Sequence, residues 1–409
     1  MLIFFMNRRQ FLQWGCAAAV TAGLGYALVP KPHPPTNPYQ EMYIPAPGFV
    51  RAAKQRLDAL LDAPLDEVSK NASWELMHRM LARGEFDVDG QSVVDRIMDQ
   101  TGIEFTLDGQ QYPDFNGVNP RTHHAFNGIS AATAKQMFES PPSSQGHIDQ
   151  FLMAFAESGL PLDRLITVKG IPYTIHDLVE GSQRSLDLDH FDADAGWTLH
   201  AYANYVGWNT SWKTAAGKET NLGDLFDRVA QFYEDQSRMH GKPQPDSHMG
   251  TCYNAHVLNG LLHSAYAPGA PVSTRERVRK IAEEFLFYDV ESQLRQMVSV
   301  RQGVRGFTGP SDGTKKEFID PSGHWIEVAG NIAGYNAFSA DPETEHFEIA
   351  TIHALLKEFA TEFMGRDPTE SRTNFKREWE HDHINYSHLI GIYSHAMNGL
   401  NRLEKAGYF

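Results

Sequence analysis

The chain has 409 residues, of which 41% are apolar, with 33 glycines and 22 prolines; this is ordinary globular usage and excludes wholesale disorder. A formal net charge of −15 gives an acidic surface that repels phosphate backbones and excludes nucleic acid as a partner. Of the two cysteines, Cys16 and Cys252, only the second falls in a mature domain, so no internal disulfide supports it and packing, a metal, or both must.

Residues 1–29 come first. Asn7-Arg8-Arg9-Gln10-Phe11-Leu12 precedes an apolar run from Trp14 to Val29 that is too short and too rich in Ala and Gly for a spanning helix. The segment resembles a twin-arginine export signal. That resemblance implies a periplasmic or otherwise exported protein, folded before transport and often loaded with a cofactor. The segment then either anchors the protein to the inner membrane or is cut after Ala27. Residues 30–48 carry Pro30, Pro32, Pro34, Pro35, Pro38, Pro45 and Pro47, the composition of an extended linker. Residues 49–409, about 360 in all, are enough for a single large helical domain.

Within that domain, apolar residues recur at spacings of three and four. Helices are predicted over Val50–Leu61, Trp74–Leu81, 146–158, 174–184, 194–207, 221–237, 249–266, 275–299, 324–338, 344–363 and 378–404. Strand-like alternation is confined to about 104–112 and 165–173, too little to build a sheet. The helices are of two kinds that alternate. Leu222–Asp235 and Arg275–Gln296 carry charge on one side, whereas Trp74–Arg83, Gly146–Gly159, Gly196–Gly207, Gly250–Ala267, His324–Ser339 and Asn385–Leu403 are poor in charge and rich in Ala, Gly, His and Asn. This is a degenerate repeat of helix pairs. The predicted fold is all-α, an (α/α)6 toroid with low-charge helices inside and charged helices outside; an irregular helical bundle is the alternative.

On segments such as Trp197-Thr-Leu-His200-Ala-Tyr202 and Cys252-Tyr-Asn-Ala-His256-Val-Leu-Asn-Gly260, the chain resembles the broad α/α-toroid group. That group includes terpenoid-cyclase-like, prenyltransferase-like and polysaccharide-lyase-like folds. The resemblance is architectural and covers about residues 70–409. It implies a ligand in a central cavity and transfers no residue roles.

Candidate chemistry falls on the low-charge helices. His248, Cys252 and His256, spaced four apart, share a helix face with His263. Imidazole and thiolate at that spacing suit zinc or another borderline-soft metal, or else form a hydrogen-bonded cavity wall. His324, Glu327, Asn331 and Tyr335 form a second stripe at spacings of three and four. Glu327 lies in an apolar run, where burial is expected to raise its pKa toward neutrality and suit it to acid–base work. A third stripe holds His381, Asn385, His388 and His395. His147 and Gln150 open another low-charge helix, His200 pairs with Asn204, and His78 stands beside Trp74. The glycine-rich stretch from Gly303 to Lys316 reads as a mobile lid or a surface insertion.

These features point to an exported enzyme, a lyase or hydrolase acting on a sugar polymer or cell-envelope compound. Glu327, His324, Asn331, Tyr335, His388 and His147 are its candidate catalytic residues, and His248, Cys252 and His256 its candidate metal ligands. The alternative from a different class is a non-catalytic protein that holds a small-molecule or polysaccharide ligand.

Overall fold

The computed structural model describes residues 46–65, 67, 69–115, 148–186, 188, 194–240, 248–291, 294, 314–364 and 383–409. All of them fall in one compact unit, Tyr43–Phe409. The export segment 1–29, most of the linker 30–48, His147, His381 and residues 303–313 lie outside the described residues.

Twelve α-helices are present among the described residues. They are α1 (Pro47–Leu61), α2 (Ser73–Arg83), α3 (Val93–Thr101), α4 (Gln150–Glu157), α5 (Ile175–Ser185), α6 (Asp194–Tyr205), α7 (Leu222–His240), α8 (His248–Ala265), α9 (Val272–Phe285), α10 (Thr314–Tyr335), α11 (Pro342–Met364) and α12 (His383–Lys405). The protein is mainly helical, as expected. Among the described residues, strands occur as four separate two-stranded hairpins and in no larger sheet. Two of these hairpins were legible, as Gly102–Leu107 paired with Gln110–Phe115 and Leu165–Val168 paired with Ile171–Thr174. In the first, Asp108 and Gly109 both take positive φ, the geometry of a two-residue turn that matches strand twist.

Local signals fix several helix ends. Pro47 occupies the first position of α1, where its missing N–H costs nothing. The Ser92 side chain accepts from the Val94 N–H at the start of α3. Thr174 and Asp177 close a reciprocal capping box on α5, Thr174 Oγ1 taking the Asp177 N–H at 3.3 Å and Asp177 Oδ2 taking the Thr174 N–H at 2.7 Å.

The even-numbered helices contain the six stretches read as poor in charge. α2 packs on α4, α4 on α6, α6 on α8, α8 on α10, α10 on α12, and α12 returns to α2, so their contacts close on themselves. Odd-numbered neighbours lie against them: α1 on α12, α3 on α2, α7 on α6 and α8, α9 on α8, and α11 on α10 and α1. Two crossings are close because both helices carry glycine there. A Cβ on Gly260 would lie 2.3 Å from the Gly196 carbonyl oxygen, and one on Gly399 would lie 2.2 Å from that of Ile326.

Three predicted boundaries require correction. α10 starts at Thr314, ten residues before the expected 324, and runs through Pro321 and Gly323. The expected helix 275–299 is α-helical only to Phe285 and continues as a π-helical turn over Leu286–Glu291. The short α3 had not been predicted. No helix among the described residues is long and apolar enough to cross a membrane.

Candidate functional site

The even-numbered helices bring five histidines together, His200, His256, His263, His324 and His395, none more than 6% exposed. Their contacts form three successive sets. In the first, His256 from α8, His324 from α10 and His395 from α12 face one another, with ring centroids 4.7, 5.3 and 4.3 Å apart. Trp197 of α6 covers His256 at 3.7 Å, and the edge of His78 from α2 meets His395 at 5.2 Å. His78 Nδ1 donates to the Trp74 carbonyl at 2.7 Å.

The second set centres on Glu327. Its Oε2 accepts from His395 Nδ1 at 2.9 Å and from Asn259 Nδ2 at 2.8 Å, and its Oε1 accepts from Asn398 Nδ2 at 2.9 Å. Asn331 Nδ2 in turn donates to Asn259 Oδ1 at 2.8 Å. Burial does push the Glu327 carboxyl up, as expected. The charge and hydrogen bond of His395, with the bond from Asn398, outweigh it and leave the pKa below the ordinary 4.5. The expected shift toward neutrality is therefore reversed: donors converge on both carboxylate oxygens, and Glu327 is an anion rather than a poised acid.

The third set joins Glu157 of α4, His200 of α6, His263 of α8, Tyr335 of α10 and Arg402 of α12. His200 Nε2 bonds Glu157 Oε2 at 2.8 Å, Arg402 is ion-paired with Glu157 Oε1, and the Tyr335 hydroxyl lies 3.0 Å from His263 Nδ1. The His200 and His263 rings stack with centroids 3.6 Å apart. Burial lowers His200 to about 4, and burial with the adjacent His200 lowers His263 well below its usual value. Both imidazoles are neutral at physiological pH, consistent with the Arg402 charge already balancing Glu157. Burial raises the Tyr335 hydroxyl to about 12, so it stays protonated and donates to His263.

The order of these sets along the chain fixes helix direction. His256, Asn259 and His263 on α8, His324, Glu327, Asn331 and Tyr335 on α10, and His395, Asn398 and Arg402 on α12 visit the sets in the same sequence. These three helices therefore run parallel, with side chains of each on one face at helical spacing.

The stripe His324, Glu327, Asn331 and Tyr335 is thus brought together with partners from neighbouring helices. His256 meets Trp197 on α6 and histidines on α10 and α12, while its helix-mate His263 belongs to the third set. His248, Cys252 and His388 lie on α8 and α12, and their side chains are outside the described residues. Four contributors had not been singled out by their chemistry: Asn259, Asn398, Glu157 and Arg402. A sequence signal existed for the first two. His256-Val-Leu-Asn259-Gly260 and His395-Ala-Met-Asn398-Gly399 share one pattern, and His324-Trp-Ile-Glu327 is its variant on α10. The two charged residues gave no such signal.

No family model matches the chain, and neither any curated protein nor any solved structure matches it.

Proposed function

We propose that the chain is an exported enzyme, built as an (α/α)6 toroid, that performs acid–base chemistry with the polar groups enclosed by its inner helices. The closed cycle of contacts among the even-numbered helices supports the toroid, with the odd-numbered helices as its outer layer. Export rests on the twin-arginine-like segment at residues 1–29, and any membrane anchoring would fall to that segment.

The observation that carries the enzymatic reading is the third set: neutral His200 and His263 beside the protonated Tyr335. A neutral imidazole takes a proton and a phenol gives one, and their 3.0 Å contact lets a proton pass between them. Burying so many polar groups costs stability that an apolar centre would not, and such arrangements cluster at functional sites. The reaction class is β-elimination or hydrolysis on a sugar polymer or cell-envelope compound. In elimination, His263 or His200 removes a carbon-bound proton and Tyr335 protonates the departing oxygen.

The test is incubation of the purified protein with a panel of uronic-acid polymers and cell-wall glycans. Ultraviolet absorbance of a new double bond reports elimination, and new reducing ends without that absorbance report hydrolysis. Signal in the wild type and its loss in Tyr335→Phe is the expected result. Turnover unchanged in both Tyr335→Phe and His263→Ala would sink the reading. A second reading, a non-catalytic binding or scaffold protein, is favoured by the close approach of Trp197 to His256 and of Trp74 to His78, with tilted rings at centroid distances of 3.7 and 3.8 Å.

A further inference from the structure

We propose that His256, His324 and His395 together bind one divalent transition-metal ion, with zinc the best fit, and that Glu327 is the carboxylate that orients His395. This stands apart from the proton chemistry assigned to the third set and does not require it.

Each of the three histidines offers one ring nitrogen, and these atoms lie within 4.8 Å of one another. Ligand nitrogens of a tetrahedral site with bonds of about 2.05 Å are about 3.3 Å apart, so small ring rotations close the triangle. The three side chains come from three helices, α8, α10 and α12, and so are held by tertiary packing rather than by one flexible segment.

The hydrogen bonding selects which nitrogen is offered. The 2.9 Å contact with Glu327 Oε2 engages His395 at Nδ1, with the imidazole N–H donating to the carboxylate oxygen. With Nδ1 held by Glu327, Nε2 is the ring nitrogen that His395 has left to offer. A carboxylate holding the far nitrogen of a ligating histidine is the usual way proteins fix the tautomer and raise ligand basicity. Glu327 is itself fixed by Asn259 and Asn398, each one turn beyond a proposed ligand. A dication beside this carboxylate also offsets its buried charge.

The other clusters suit a metal less well. At Glu157, His200 and His263 the carboxylate is already taken by the Arg402 guanidinium, which would repel a cation. His176, Asp177 and Glu180 form a group on α5 in which His176 is exposed and the two carboxylates are half-buried, and Asp177 there is committed to the capping box. Three imidazole nitrogens favour zinc, cobalt, nickel or copper over magnesium or calcium. Three protein ligands leave a fourth position for water or substrate.

The experiment uses the full chain, stripped with chelator and then titrated with Zn²⁺ or Co²⁺. Metal per chain, the visible cobalt spectrum and the unfolding midpoint are read. One equivalent is expected, with a four-coordinate cobalt spectrum of nitrogen ligation and a raised midpoint. His324→Ala and His256→Ala should abolish uptake, Glu327→Gln should weaken it about 10–100-fold, and His200→Ala should retain it. Circular dichroism of each stripped variant separates lost ligation from lost folding, and the wild-type cobalt spectrum decides independently of any variant. No uptake by folded wild type, equal uptake by folded His324→Ala, or a thiolate-to-cobalt band indicating Cys252 would each overturn the assignment. Metal bound without turnover would leave it standing while counting against the acid–base enzyme.

Discussion

Replacing Gly399 by alanine tests whether the glycine crossings hold the site together. A Cβ there would lie 2.2 Å from the Ile326 oxygen, 2.4 Å from the Ile326 carbonyl carbon and 2.5 Å from the Glu327 nitrogen. All three are backbone atoms, so relief requires α10 and α12 to move apart. Overpacking of this kind costs about 3 kcal/mol, against a gain of about 1 kcal/mol from alanine's helix propensity. The net loss is about 2 kcal/mol. With an unfolding entropy of about 2.1 cal/mol/K per residue over about 360 residues, 1 kcal/mol moves the midpoint about 1.3 °C. Gly399→Ala should therefore lower Tm by about 3 °C. Gly334 is the control: it is exposed on α10, and a Cβ there meets nothing within 4 Å. Gly334→Ala should raise Tm by about 1 °C through propensity alone. Calorimetry of both variants is the assay. The displaced backbone is that of Glu327, so Gly399→Ala should also weaken metal uptake. A Gly399→Ala midpoint at or above wild type would refute the argument that close backbone approach fixes these helices.

Two further outcomes follow from the buried ionisable groups. Asp289, in the π-helical turn, is pushed by burial from 3.8 to about 7, with a hydrogen bond from Asn254 opposing the rise. A raised folded-state pKa means the protonated form is favoured on folding. Its contribution is fully present below pH 3.8 and is lost as pH rises through 7, on the order of 4 kcal/mol at about 1.36 kcal/mol per pKa unit. Asp289→Asn should leave the urea midpoint unchanged near pH 4 and raise it at pH 8; parallel pH profiles for variant and wild type would refute this. Tyr335→Phe removes the donor to His263 Nδ1 and leaves a buried acceptor unmet, at a cost of about 1–2 kcal/mol in urea unfolding. The same variant should slow turnover about 10²–10⁴-fold if the hydroxyl is the acid. A double-mutant cycle with His263→Ala that finds no coupling between the two residues would count against the contact.

Helix existence was legible because amphipathic and low-charge stretches cover most of the domain. Boundaries were legible only where local chemistry decides them. The expected start at 324 lies just after Pro321 and Gly323, yet α10 passes through both. Gly323 serves the crossing with α12, since a Cβ there would lie 2.3 Å from the Ile392 oxygen. A packing requirement and a turn signal are the same letter in the sequence. The α10 stripe was legible complete, because His324, Glu327, Asn331 and Tyr335 fall on one helix face and periodicity sees one helix at a time. Glu157 and Arg402 were not, because they are 245 residues apart and each looks like an ordinary solvated charge. The sign of the Glu327 shift was missed for the same reason. Burial can be inferred from an apolar neighbourhood along the chain, but Asn259, His395 and Asn398 reach Glu327 from 68 to 71 residues away.

The glycine crossings and the polar layers depend on each other. At the first crossing Gly260 follows Asn259, and at the second Gly399 follows Asn398, so close helix approach occurs beside the residues that hold Glu327. At the second crossing the two helices are the ones that Asn398 and Glu327 join, so a wider spacing there would break a 2.9 Å donor contact and leave a buried carboxylate short of a partner, a cost of several kcal/mol. The repeated His-x-x-Asn-Gly pattern therefore couples three demands within five residues: an imidazole facing its counterparts, an amide one turn later that fixes the central carboxylate, and the missing side chain that lets the helices meet. Packing alone would be met more cheaply by apolar side chains at the His and Asn positions of the pattern. That the sequence carries polar groups there is the physical reason to look for a ligand at this centre.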